Sequence, residues 1–273
     1  MKELSKEKLK YFQEKYIDRY VKERNNKNWQ DYRSESKFIK KLSDFSFLKN
    51  REVNYPQIED NNINLQESRG IGISEDTTIE KIYESIKSIM SSPVQESNQI
   101  RINEIDALVF QNNINLNKKN YLEIGFRVPK VQNYFRKKYN MNDHGLDINK
   151  FNCELFNELG YNVKVVDINK SDILFFDNKK FDIISCYHVL EHTYNPENAI
   201  KNIYNNMSNK SILHIEIPIE ADNPQLSYGH LIGFYPKELG ELLQHVGFRV
   251  IYATNKTHTG GSYIERYIAT KGY

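Results

Sequence analysis

The stretch Tyr121-Leu-Glu-Ile-Gly-Phe-Arg-Val-Pro129 marks the point where the pattern of the chain changes. Tyr121–Gly125 reads as a short apolar strand. Pro129 suits the first turn of a helix, because its fixed φ and missing N–H cost nothing there. The helix then runs from Val128 to about Tyr139. The alternation continues with a strand at Gly145–Ile148 and a helix at Lys150–Leu159, with Gly160 where a C-terminal glycine belongs. Strands follow at Val163–Ile168 and Phe181–Tyr187, a helix at Pro196–Met207 and a strand at Ser211–Ile217. A helix at Pro236–Val246 stops at Gly247, and strands at Phe248–Ala253 and Ser262–Thr270 close the chain. Strands alternating with helices of about ten residues imply a parallel sheet covered on both faces. The last two strands have no helix between them, so they pair antiparallel at one edge. Such a sheet binds ligands beyond the carboxyl ends of its strands, near the topological switch point.

Upstream of this alternation the chain reads as mainly helical. Leu9, Phe12, Tyr16, Tyr20 and Val21 form a helical stripe between Ser5 and about Asn25, and Ser5 can cap it. Ile79, Ile82, Tyr83, Ile86 and Ile89 share one face of a helix from Thr78 to Met90. A third short helix covers Arg101 to Gln111. About residues 43–77 are turn-rich and read as loop. The expected division is a helical accessory or lid region at 1–116 and an α/β domain at 117–273. Trp29 and Tyr32 of the first region either cover a pocket or pack on the core.

Composition excludes several classes. Hydrophobic residues make up 39% of the 273-residue chain and mean hydropathy is −0.70, polar for a globular protein. The 19 Tyr and 14 Phe nevertheless supply bulky core material. Net charge is +2. The basic excess of the first fifty residues is interleaved with acids, as on a solvated face, and no basic stripe carries aromatics. Nucleic acid is therefore not an expected partner, and neither is a membrane, since no apolar run approaches about eighteen residues. Two cysteines, Cys153 and Cys186, make neither a disulfide framework nor a zinc site. A soluble, cytoplasmic protein is expected.

Six segments in order resemble class I S-adenosylmethionine (SAM)-dependent methyltransferases. They are Tyr121–Gly125, Gly145-Leu-Asp-Ile148, Asn162–Asp167, Phe181–His192 with Asn195-Pro196, Ile215-Glu-Ile-Pro218, and His230 through Phe234-Tyr-Pro-Lys-Glu-Leu to Gly247-Phe248. Together they span about 150 residues. The resemblance implies a Rossmann-like fold, a seven-stranded mostly parallel sheet with an antiparallel last strand, preceded by the helical region. It also implies SAM as cofactor. On that reading Glu123 attracts the positive end of SAM and Asp147 accepts the ribose hydroxyls. Asp167, or Asp172 in its place, accepts the adenine amino group, Ile148 packs on the ring, and Tyr187 lines a pocket or fills the core. The alternative makes these acids helix N-caps, which need no ligand. The family alternates glycines after the first acid, Glu-x-Gly-x-Gly-x-Gly, to let the backbone pass close to the cofactor. Here only Gly125 remains, Arg127 and Pro129 replace the others, and Arg127 could reach a carboxylate.

The second focus is His188-Val-Leu-Glu191-His192. If it were helical, His188, Glu191 and His192 would share a face, and His230 comes from a later loop to the same mouth. The set resembles the Glu-x-x-Glu-His with a later His that binds a divalent metal in small-RNA 3′-end methyltransferases, with His188 replacing the first Glu. Three imidazoles and a carboxylate would favour Zn, Mn, Fe or Co over Mg. Alternatively His188 or His230 acts as general base, since methyl transfer to oxygen needs the acceptor proton removed. His245 is expected on a helix surface, and Thr259-Gly260-Gly261-Ser262 as a turn. The expected activity is O-methylation of a small polar metabolite, such as a sugar or sugar phosphate of bacterial surface glycans, by an enzyme that is a homodimer if it follows its relatives. The alternative is a non-catalytic binding protein whose cofactor loop has eroded.

Overall fold

The computed structural model describes residues 1–19, 38–41, 52–55, 77–170, 173–193, 195–220, 230, 232–257 and 263–272, with the backbone alone at 38–41, 52–55 and 255–257. Asp172, Trp29, Tyr32 and the Thr259–Ser262 turn lie outside the described residues. In chain order the elements are α1 (Lys6–Phe12), β1 (Phe38–Lys41), β2 (Glu52–Tyr55), α2 (Ile79–Ser91), α3 (Glu96–Gln111), β3 (Asn120–Ile124), α4 (Lys130–Tyr139) and β4 (Asn142–Asp147). They continue with α5 (Lys150–Glu158), β5 (Val163–Val165), β6 (Phe181–Tyr187), α6 (Pro196–Asn206), β7 (Met207–Pro218), α7 (Glu238–Val246), β8 (Phe248–Thr257) and β9 (Tyr263–Lys271).

β3 to β9 form one seven-stranded sheet in the order β5-β4-β3-β6-β7-β9-β8. β4 and β6 flank β3 in parallel, β5 and β7 continue the parallel set, and β9 runs antiparallel between β7 and β8. This is the expected Rossmann-like sheet. The chain winds outward from β3 to β5 and then returns to place β6 on the other side of β3. In a sheet wound this way the ligand crevice lies outside the carboxyl ends of β3 and β6, at the switch point.

Alternate strand residues feed two cores. Leu122, Ile124, Ile184, Cys186, Leu213 and Ile215 pack with Ile200 and Ile203 of α6 and Leu239, Leu242 and Leu243 of α7. On the other face Tyr121, Ile183, Ile212 and Ile268 meet Ile102, Ile105 and Val109 of α3 and Val131 and Phe135 of α4. α3 begins five residues before its expected start, because its polar first turn gives no periodic signal. A third cluster docks the N-terminus on α5: Phe12 and Ile17 with Ile79, Ile82 and Ile86 of α2 meet Phe151, Leu155 and Phe156. Ser5 caps α1 and Thr78 caps α2 through their side chains, as their sequence positions suggest. After Phe12 the helix widens into a π-turn at Gln13–Asp18.

One expectation needs correction. The segment read as loop contains β2, which pairs antiparallel with β1, Phe38 opposite Tyr55 and Lys41 opposite Glu52. Val53 and Tyr55 supply the strand-forming residues, too few to stand out among turn formers. Among the described residues no helix is long and apolar enough to cross a membrane.

Candidate active site

The loop after β3 borders one side of the crevice. Gly125 has φ +70, and Arg127 adopts φ +42 although it carries a side chain. The Gly125 N–H donates to Leu146 O at 2.7 Å, tying the loop to the end of β4. A Cβ on Gly125 would run into Val189 Cγ2, so both backbone and neighbour favour glycine here. The loop thus keeps left-handed residues at Gly125 and Arg127 even though only one is glycine.

Asp147 ends β4 and is half-buried. Its Oδ1 accepts the Asn149 N–H at 2.9 Å and its Oδ2 the Arg127 N–H at 3.4 Å. Burial pushes its carboxyl pKa up, and these N–H groups only partly offset that. Asp147 is not the cap of α5, because Asn149 holds that place and accepts the Asn152 N–H. Ile148 is half-buried beside it. Asp167, also half-buried, accepts the backbone N–H and side-chain amide of Asn169 at 3.0 and 2.9 Å, a local turn and not a helix cap. Glu123 behaves differently. It is 6% exposed, and its Oε2 accepts the Gln132 N–H in the first turn of α4 at 3.0 Å. Burial raises its pKa to about 8, so it carries little charge near neutral pH. Glu123 therefore satisfies a helix N-terminus, the capping role, and its attraction for a cation is weak.

On the other side of the crevice β6 ends at Tyr187. The Tyr187 ring lies back along the sheet, with its hydroxyl donating to Ser185 Oγ at 3.1 Å and 2.8 Å from His214 Nδ1. It fills the interior. Only Leu190–His192 then turns, as a single 3-10 turn, so His188 does not share a helical face with Glu191 and His192. His188 has φ +53. Its N–H donates to Glu216 O at 3.0 Å, its Nε2 lies 2.8 Å from Glu216 Oε1 and its Nδ1 3.3 Å from Glu191 Oε1. Burial opposes charge on this imidazole, but Glu191 and Glu216 outweigh it and raise its pKa to about 9. With a carboxylate at each ring nitrogen, His188 is held as a cation and not as a neutral base.

Glu191, His192 and His230 do converge, their ligand atoms within 4.8 Å of one another. The His192 and His230 rings meet edge to face at 4.8 Å. Glu191 is 0% exposed, and beyond the His188 ring at 3.3 Å its oxygens meet no hydrogen-bond donor among the described residues. His230 Nδ1 makes a short contact with Glu220 Oε2, which fixes how the ring is turned. His245 lies apart on α7 with 47% of its side chain exposed, 3.6 Å from Glu197.

Residues 104–253, more than half of the chain, match the profile of a family described as a methyltransferase domain. The chain belongs to that family. Comparison with curated proteins finds no match at the sequence level. Among solved structures, an S-adenosylmethionine-dependent methyltransferase from Clostridium acetobutylicum is 12% identical with a TM-score of 0.52, over 71% of this chain and 99% of that one. Magnesium protoporphyrin IX methyltransferase from Synechocystis, with bound SAH, is 11% identical with a TM-score of 0.52, over 70% and 95%. The cyclase SpnF is 11% identical with a TM-score of 0.53, over 71% and 92%. Identities this low carry the class I SAM-dependent methyltransferase fold and not a substrate.

Beneath this methyltransferase domain's sheet, a motif residue, Glu216, meets charged partners from outside the matched segment. Glu216 Oε1 receives Arg101 Nη2 of α3, and its Oε2 receives Arg266 Nε of β9 at 2.5 Å. Burial would raise the Glu216 pKa, but His188, Arg101 and Arg266 hold it well below the usual carboxylate range. Glu104 accepts from Arg266 at 2.7 Å and faces His214 Nε2 at 2.9 Å. A glutamate between Ile215 and Ile217, buried like His214 two residues before it, was the available signal. Its partners come from positions too distant in sequence to be read.

Proposed function

We propose that the chain is a SAM-dependent methyltransferase that O-methylates a small polar metabolite in the cytoplasm, a sugar or sugar phosphate of the kind built into bacterial surface glycans. The observation that carries the reading is Asp147. A half-exposed carboxylate at the switch point, relieved of helix capping by Asn149, suits the paired hydroxyls of a ribose. Asp167 and Ile148 would hold the adenine side, and Gly125 and Arg127 the side nearer the sulfur. The bound cofactor supplies a methyl group on a cationic sulfur. The chain's own residues orient the acceptor and take up its proton. His230 is the base on this reading, since Glu220 at Nδ1 orients the ring and leaves Nε2 to receive a proton. His188, already held by two carboxylates, orients the acceptor side instead.

A second reading rests on the buried Glu191 carboxylate, which His188 Nδ1 approaches at 3.3 Å. One carboxylate and two imidazoles, from Glu191, His192 and His230, fit a divalent ion such as Zn, Mn, Fe or Co. Metal analysis of the purified chain and of His192→Ala decides it, since an unchanged content removes His192 from any such site.

Calorimetry with S-adenosylhomocysteine tests the main reading. The intact chain should bind, and Asp147→Ala should bind at least about tenfold more weakly, the loss of one or two hydrogen bonds to a charged group. Absence of binding by the intact chain would favour a non-catalytic binding protein. Label transfer from SAM to a panel of free sugars and sugar phosphates, read by mass spectrometry, then identifies the acceptor.

A further inference from the structure

Arg101 lies beneath the acceptor side, on a helix of the N-terminal region and just outside the residues that match the family. It is 8% exposed. Nη2 donates to Glu216 Oε1, Nη1 donates to Asn98 Oδ1 at 2.8 Å, and the guanidinium stands 4.4 Å from the centroid of the Tyr187 ring. Its buried Nε–H has no hydrogen-bond partner among the described residues. His188 Nε2 reaches the same Glu216 Oε1 at 2.8 Å, while Arg266 holds the other oxygen at 2.5 Å. The carboxylate is thus fixed at both oxygens and cannot turn. Arg101, Arg266 and His188 here face Glu104, Glu216 and Glu191.

His188 needs such restraint. A side-chain-bearing residue at φ +53 persists only where its surroundings over-determine it. The restraints are the Glu216 carbonyl on its N–H, the Glu216 and Glu191 carboxylates on its ring, and the packing of Tyr187 just before it. Arg101 touches two of these, since it grips Glu216 and covers Tyr187.

We propose that Arg101 is a positioning residue: by holding Glu216 and Tyr187 it keeps His188 in its left-handed turn, with the ring clamped between Glu191 and Glu216. Its consequence for catalysis rests on the methyltransferase reading, whereas the geometry does not. The N-terminal region thereby builds part of the acceptor side from behind.

The test uses the full chain with ¹⁵N-labelled histidine. The His188 Nε2–H, shielded from solvent exchange by Glu216, gives a protected signal, identified by its absence in His188→Asn, a residue that tolerates positive φ. Arg101→Met should lose this signal or shift it by more than its own width, and Arg101→Lys, which keeps a cation, should restore it. Both variants should still bind S-adenosylhomocysteine as the intact chain does. If Arg101→Met does not fold, Arg101→Gln carries the same test. An unmoved His188 signal in a folded variant that lacks the cation overturns the proposal, as does an intact chain with no protected signal. Failure of the intact chain to bind S-adenosylhomocysteine would overturn the methyltransferase reading instead, leaving the His188 signal to decide on Arg101.

Discussion

Gly125 and Val189 face each other across the crevice between β3 and β6, and their contact is testable. Gly125→Ala puts a side chain on a left-handed residue and drives its Cβ into Val189 Cγ2. The first term costs about 1 kcal/mol and the second about 1–3 kcal/mol. Adding Val189→Ala should remove the overlap and leave the backbone cost, so urea unfolding should show the two changes to be non-additive by about 1 kcal/mol or more. Simple additivity would mean that the loop after β3 can move away from Val189. Glu123 gives a second test, through pH. In the folded chain its carboxyl keeps a proton up to about pH 8, whereas its ordinary value is 4.5. The native state therefore binds more protons than the unfolded state across that window, and stability falls as pH rises through it. Glu123→Gln keeps an acceptor for the Gln132 N–H and does not titrate. Its stability relative to the parent should rise by about 3 kcal/mol between pH 5 and pH 8. A difference that stays constant over that range would show that Glu123 is ionised in the fold.

α3 separates what burial decides from what periodicity can announce. Ile105 of α3 is 0% exposed in the core beneath the sheet, whereas Ile89 of α2 is 38% exposed although it lies on the predicted apolar stripe. Ile105→Ala should cost about 2–4 kcal/mol by denaturant unfolding and Ile89→Ala less than about 1 kcal/mol. Equal losses would contradict the docking of α3. The strands of the sheet were readable because parallel strands buried on both faces are nearly continuous apolar runs, as in Phe181–Tyr187, whose bounds match the sequence reading. Helices α5 and α6 were readable from their alternation with the strands and, for α5, from Gly160; the structure adds Asn149 and Asn195 as caps of their first turns. The start of α3 was not, because Glu96-Ser-Asn-Gln99 has no apolar member. The fate of the HVLEH segment was not readable either. A helix and a single 3-10 turn share the same composition, and the choice rests on His188 taking a positive φ that its residue type does not announce. Arg101 and Glu216 stand 115 residues apart, so only the folded sheet reveals that one holds the other. Motif order placed the acids expected on the cofactor side at strand ends, but whether each braces a helix depends on whether a nearby asparagine already caps it, as Asn149 does beside Asp147.

At the scale of the whole molecule, the sheet depends on the N-terminal helices for more than cover. A chain beginning at residue 117, the boundary expected from the sequence, would lose α1, α2 and α3. Loss of α3 would uncover Tyr121, Ile183, Ile212 and Ile268 on one sheet face. It would also remove Arg101 from Glu216 and Glu104 from Arg266 and His214, leaving buried charges partly uncompensated. Breaking a buried pair by removing one partner costs about 3–5 kcal/mol, a large fraction of the roughly 5–15 kcal/mol that holds a domain together. Loss of α1 and α2 would further expose Phe151, Leu155 and Phe156 of α5. Such patches favour association. The 117–273 fragment should therefore be insoluble, or bind a hydrophobic dye and melt without a cooperative transition. A 94–273 fragment, which restores α3 with Arg101 and Glu104, should recover a cooperative transition at a lower temperature than the full chain, since the α5 face stays open. If instead 117–273 melts cooperatively within a few degrees of the full chain, the charges beneath the sheet are dispensable to folding, and Arg101 and Glu104 would have to be explained by the site alone.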